Sequence, residues 1–80
     1  MTDSSKMPDS CEHFAHCVQV FGGTTAASRR LGIDERAIRR FINGERAVST
    51  GLLQDTAKAL RQLISEATEA ERLIEESVQP

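Results

Sequence analysis

A single glycine between two short, apolar-patterned runs most limits what this chain can fold into: Gly32, inside TTAASRRLGIDERAIRRFIN, residues 24–43. The run before it predicts a helix over roughly residues 25–31, with the Thr24 or Thr25 hydroxyl capping its first free N–H groups. Gly32 then follows the last apolar residue, Leu31, where a left-handed backbone ends a helix without steric cost. Asp34 is placed to cap a second helix, and Ile33 before it has hydrophobic-staple spacing to Ile38. Ala27, Leu31, Ile33, Ile38 and Phe41 are the inward-facing positions, and small Ala27 and Ser28 let the two helices cross closely.

The second helix divides cleanly into two faces. At about 100° per residue, Glu35, Arg36, Arg39, Arg40 and Asn43 fall on one arc of roughly 140°, opposite Ala37, Ile38, Phe41 and Ile42. Arg36 stands four residues from Arg40 and three from Arg39, spacings that cost a few tenths of a kcal/mol each by like-charge repulsion. Glu35, four before Arg39, offsets one of them. An anionic partner would relieve the rest, and guanidinium forks match both phosphates and the guanine edge in the major groove.

This pair of helices resembles the helix-turn-helix of phage repressors and Cro-like regulators. The resemblance spans about residues 10 to 64 and extends into the loop Asn43-Gly44-Glu45-Arg46-Ala47-Val48, where Gly-x-Arg and a small apolar residue recur in that family. It implies that the Arg36/Arg39/Arg40 helix enters the major groove of double-stranded DNA, its arginines divided between guanine edges and phosphates. Glu35 would accept from a cytosine amino group or orient Arg39. Thr24, Thr25, Ser28 and Arg29 would fix register on phosphates, Arg46 would contact the backbone, and Asn43 a base or the backbone. The chain departs from the family in two places. Ala47 and Val48 stand where a proline is common. The C-terminal third, usually two short helices in that family, reads as one long helix or, alternatively, as one broken near residues 65–68 with a short fifth helix folding back on the core.

Eighty residues make one domain, with a core too small to enclose a substrate pocket as well. No nucleophile stands beside a base and an orienting group, so an enzyme is not expected. No cofactor, metal or small-molecule ligand is expected either. There is no apolar run of membrane-spanning length and no signal-peptide pattern, which points to a cytoplasmic protein. The net charge of −2 hides a division by segment. Residues 24–46 hold six arginines against Asp34, Glu35 and Glu45, whereas residues 47–80 hold Lys58, Arg61 and Arg72 against six acids. The local balance sets the field at a binding face.

Residues 1–9 read as a flexible arm. Asp9 and Glu12 have capping-box spacing for a helix ending at Gly22-Gly23, with Cys11, Phe14, Cys17, Val18 and Phe21 on one face. Cys11, His13, His16 and Cys17 do not make a zinc site, because one helix cannot turn all four inward. Nor can the two cysteines pair: six helical residues rise about 9 Å, beyond a disulfide's span.

Ser49 or Thr50 caps a last helix reaching about Glu76, with the tail from Glu75 fraying. Leu52, Leu53, Ala57, Leu60, Leu63, Ile64, Ala67, Ala70 and Ile74 form a stripe roughly 160° wide, without glycine or proline. Its first half, through about Ile64, packs on the core. Residues 65–80 extend beyond it, and Ile64, Ala67, Ala70, Leu73 and Ile74 are the expected contacts of a homodimer. The expected whole is a small all-α helix-turn-helix domain of four to five helices with a long C-terminal helix. It reads as a DNA-binding transcriptional regulator, a repressor that binds an inverted-repeat operator as a dimer. The rival is the same motif gripping an acidic protein, as an antitoxin, adaptor or inhibitor would.

Overall fold

The computed structural model describes residues 10–79. These form four helices: α1 (Ser10–Phe21), α2 (Thr24–Leu31), α3 (Glu35–Ile42) and α4 (Thr50–Val78). There is no strand among the described residues, so the chain is all-α with a long C-terminal helix. The N-terminal arm and Asp9, half of the expected capping box, lie outside the described residues.

Backbone chemistry sets the boundaries. Gly22 and Gly23 both take φ of 115°, and their N–H groups return to the carbonyls of Gln19 (3.0 Å) and Val18 (2.9 Å), closing the end of α1. Gly23, not a threonine, then caps α2. No side chain accepts there, and the Gly23 carbonyl takes the Ala27 N–H at 2.9 Å. Thr24 is already inside the first turn, which corrects the expected hydroxyl cap. The two-glycine corner reverses the chain so tightly that the helix begins before a threonine reaches the capping position.

Gly32 is left-handed, with φ 69° and ψ 31°. The Ser28 carbonyl accepts both the Gly32 N–H (2.8 Å) and the Ile33 N–H (3.2 Å), while the Ser28 hydroxyl donates to the Ile33 carbonyl at 2.5 Å. Asp34 caps α3 as expected, its Oδ1 accepting from the Arg36 N–H at 3.1 Å. Ser49 caps α4, accepting from the Leu52 N–H at 3.0 Å.

The buried core is Phe14, Val18 and Phe21 of α1, Ala27 of α2, Ile38 of α3, and Leu52 and Ala59 of α4. Leu31, Ile33, Phe41, Leu60 and Leu63 pack against it half-buried. The Phe14 and Phe41 rings meet edge to face, 5.6 Å between centroids. Both α3 and α4 pack on α1 and α2 but not on each other, so α4 leaves the outer face of α3 clear.

α4 corrects the expected stripe. Its contact arc is Leu52, Thr56 and Ala59, with Leu60 and Leu63, whereas Ala57 is exposed and Ile64 is 63% exposed. A 160° stripe is wider than the ridge offered by α1 and α2, and the shape of that ridge selects the arc. Thr56 is buried because its hydroxyl donates to the Leu52 carbonyl at 2.7 Å, so the polar atom enters the core satisfied. The helix also continues to Val78, past the point of expected fraying. Arg72 bonds Glu69 (2.6 Å) and Glu76 on its outer face, and the Ser77 hydroxyl donates to the Ile74 carbonyl at 2.9 Å.

Candidate nucleic-acid interface

α3 is held from beneath. Ile38 is fully buried, and Phe41 wedges against Phe14. The Cys11 thiol reaches the Phe41 and Ile42 carbonyls at 3.1 and 3.0 Å, tying the last turn of α3 to the start of α1. The carbonyls left open at that end are closed by the loop: the Glu45 and Arg46 N–H groups both return to the Arg40 carbonyl, at 2.8 and 3.2 Å. A short helix fixed at both ends holds its outer side chains in a constant frame.

That outer face carries Arg36, Arg39, Arg40 and Asn43, all exposed, with Glu35 half-buried at its edge. Arg39 approaches Glu35 at 3.4 Å, a loose exposed pair worth little by itself. Among the described residues, Arg36 and Arg40 have no carboxylate within ion-pair distance. The face therefore holds three guanidinium groups of which one has an acidic neighbour.

Arg46 is exposed in the following loop, its guanidinium 5.1 Å from the centroid of the Phe41 ring. This cation–π contact leans the loop on the same aromatic that seats α3. On α2, Thr25 and Arg29 are exposed and Thr24 is half-buried. Ser28 is half-buried with its hydroxyl hydrogen committed to Ile33, so its first task is to lock the turn between the two helices.

Arg30 belongs to a different contact, one with no signature in the sequence. Its Nη2 pairs with Glu66 Oε1 at 2.7 Å, linking α2 to α4 across 36 positions. The hydrogen bond from Arg30 holds the Glu66 carboxyl below its usual range, against a smaller opposing effect of burial. The same bond raises Arg30. Arg30 thus braces the long helix, whereas Arg29 beside it points to solvent.

The expected dimer residues Ile64, Ala67, Ala70, Leu73 and Ile74 are all exposed on α4. His13 and His16 are exposed, and burial raises the Cys17 thiol. Among the described residues no three His, Cys, Asp or Glu side chains gather as a metal site, and no helix is long and apolar enough to cross a membrane. Comparison with family models, with curated proteins and with solved structures gives no match to this chain.

Proposed function

We propose that this chain is a sequence-specific DNA-binding regulator that reads the major groove with α3. The observation carrying the reading is the outer face of α3: Arg36, Arg39 and Arg40 are exposed together on a capped helix, and two of them lack an acidic partner among the described residues. An isolated helix gains nothing from such repulsion, whereas a polyanion converts it into attraction. Arg46 on the Phe41 ring and Arg29 on α2 flank the helix where phosphates of a duplex would run. Thr24, Thr25 and Asn43 supply shorter donors at its edges. The reading includes repression by occupying a promoter, action as a homodimer on an inverted repeat, and a place in the cytoplasm.

The test begins with selection from a random duplex pool, followed by binding measured at several salt concentrations. Arg39→Ala and Arg40→Ala each should cost about 1–3 kcal/mol on the selected site where they read bases. Arg29→Ala and Arg46→Ala should weaken all sequences alike and shallow the salt slope by about one unit each. If the Arg36/Arg39/Arg40 triple alanine, still folded by circular dichroism, binds the selected site as tightly as the parent, the assignment of α3 fails. Failure to bind any duplex, with retention of an acidic protein instead, selects the interaction-module reading.

A further inference from the structure

Among the described residues, four of the five large apolar side chains that are exposed lie beyond Leu63 on α4: Ile64 (63%), Leu73 (52%), Ile74 (63%) and Val78 (72%). With Leu63 as reference, Ala67, Ala70, Ile74 and Val78 all project within roughly 60° of it. Leu73 and Ile64 border that strip. The strip therefore continues the face that, one turn earlier, packs on the core through buried Ala59 and half-buried Leu60 and Leu63. Among the described residues nothing reaches it after Glu66, where the Arg30 pair ends the contact with the core.

We infer that this overhang is covered by the overhang of a second copy, running antiparallel about a two-fold axis beside Arg72. The strip is complementary to itself in that arrangement and in no parallel one. Heptad spacing puts Leu60, Ala67 and Ile74 at one core position and Leu63, Ala70 and Ser77 at the other. Antiparallel pairing then sets Ile74 against Ala70 of the second copy, large on small. Leu73 meets Leu73 of the second copy across the axis, and Ile64 meets its Val78. A parallel pair would stack Ala67 on Ala67 and Ala70 on Ala70, leaving small residues opposite small ones in two successive core layers.

Length agrees with this register. The overhang from Ala67 to Val78 has its midpoint at Arg72–Leu73, the same place as the axis of best side-chain matching. Each helix therefore ends where the other meets its own core.

Charge allows it as well. Residues 64–79 carry five carboxylates and one guanidinium, which would oppose self-association if all were free. Glu66 is paired with Arg30, and Glu69 and Glu76 with Arg72 on the face away from the strip. Among the described residues that leaves Glu71 and Glu75, and only Glu71 borders the seam. About 22 Å of helix against its copy buries on the order of 1,000 Å² in total, the low end of specific interfaces, so the dimer should be of micromolar strength.

This inference deepens the dimer in the proposed function but stands without DNA, and its test uses none. Sedimentation of the full chain across the micromolar range should show a monomer–dimer equilibrium. Ile74→Glu should weaken it by roughly 100-fold, because each copy would bury an unpaired carboxylate, while helicity is kept since Ile74 touches no core residue. Glu71→Gln should tighten it by about twofold by removing a like-charge pair at the axis. Under mild oxidation Leu73→Cys should form a covalent dimer and Ile74→Cys should not, with the parent, carrying Cys11 and Cys17 in α1, as background. A monomer at every concentration overturns the inference and gives the strip to another chain. Cross-linking of Ile74→Cys in place of Leu73→Cys overturns the antiparallel arrangement.

Discussion

Replacing Gly32 separates backbone strain from packing in a way few glycines permit. Its φ of 69° and ψ of 31° lie in the left-handed region, yet a Cβ built there would find no atom within 4 Å. Any loss of stability must then come from the dihedral angles. An L-residue forced left-handed costs about 1–2 kcal/mol, and a non-glycine recovers about 0.4–1 kcal/mol through a less disordered unfolded chain. Gly32→Ala should therefore lose about 1 kcal/mol net. Gly32→Asn should lose less, since asparagine tolerates the left-handed region, and Gly32→Val more than 1 kcal/mol, since β-branched residues are genuine outliers there. A domain of this size has a stability of roughly 4–10 kcal/mol, so the series stays measurable. For alanine the melting temperature should fall by about 4–8 °C, read by circular dichroism at 222 nm with urea titration as a check. A series ordered by side-chain volume, with asparagine worse than alanine, would refute the dihedral argument and imply a hidden contact at the turn. A neutral valine would mean that the chain does not turn at Gly32.

Phe14→Ala should be the most damaging core truncation, about 3–5 kcal/mol for a fully buried aromatic, and should leave little cooperative transition in urea. Phe41→Ala should cost less than Phe14→Ala, because Phe41 is only half-buried, but it should also release Arg46 and thereby weaken binding to duplexes of any sequence. The Arg30–Glu66 pair carries a signed pH dependence. Glu66 titrates lower when folded, so the pair's contribution is complete above the ordinary carboxylate value of 4.5 and is lost as pH falls through the folded value. Urea midpoints of the parent and Glu66→Gln should differ at neutral pH and converge in acid. A gap that instead widens in acid would reverse the assignment.

Everything the sequence determined by itself lies within about one helical turn of its cause. Asp34 can be read as a cap because its partner is the Arg36 N–H, two residues on. Gly32 can be read as a stop because its left-handed backbone needs no other element, and Arg36, Arg39 and Arg40 can be placed outward because Ile38 and Phe41 beside them must go in. The sequence leaves α4 either continuous or broken near residues 65–68, because no proline or glycine between Gly51 and Val78 forces a break and no local signal forbids one; the structure runs it unbroken to Val78.

The tertiary structure decided what depends on distant partners. Gly23 displaced the threonine cap because α1 and α2 meet at a corner whose angle no single helix encodes. The Cys11 thiol found carbonyls 30 and 31 residues away, and Arg30 left the surface set to hold Glu66. α4 shows the division most plainly. Its sequence offered one broad apolar stripe with interchangeable edges, and hydrophobic burial, being non-directional, could not choose among them. The ridge formed by α1 and α2 chose, taking Thr56 and Ala59 inward and leaving Ala57 and Ile64 in solvent.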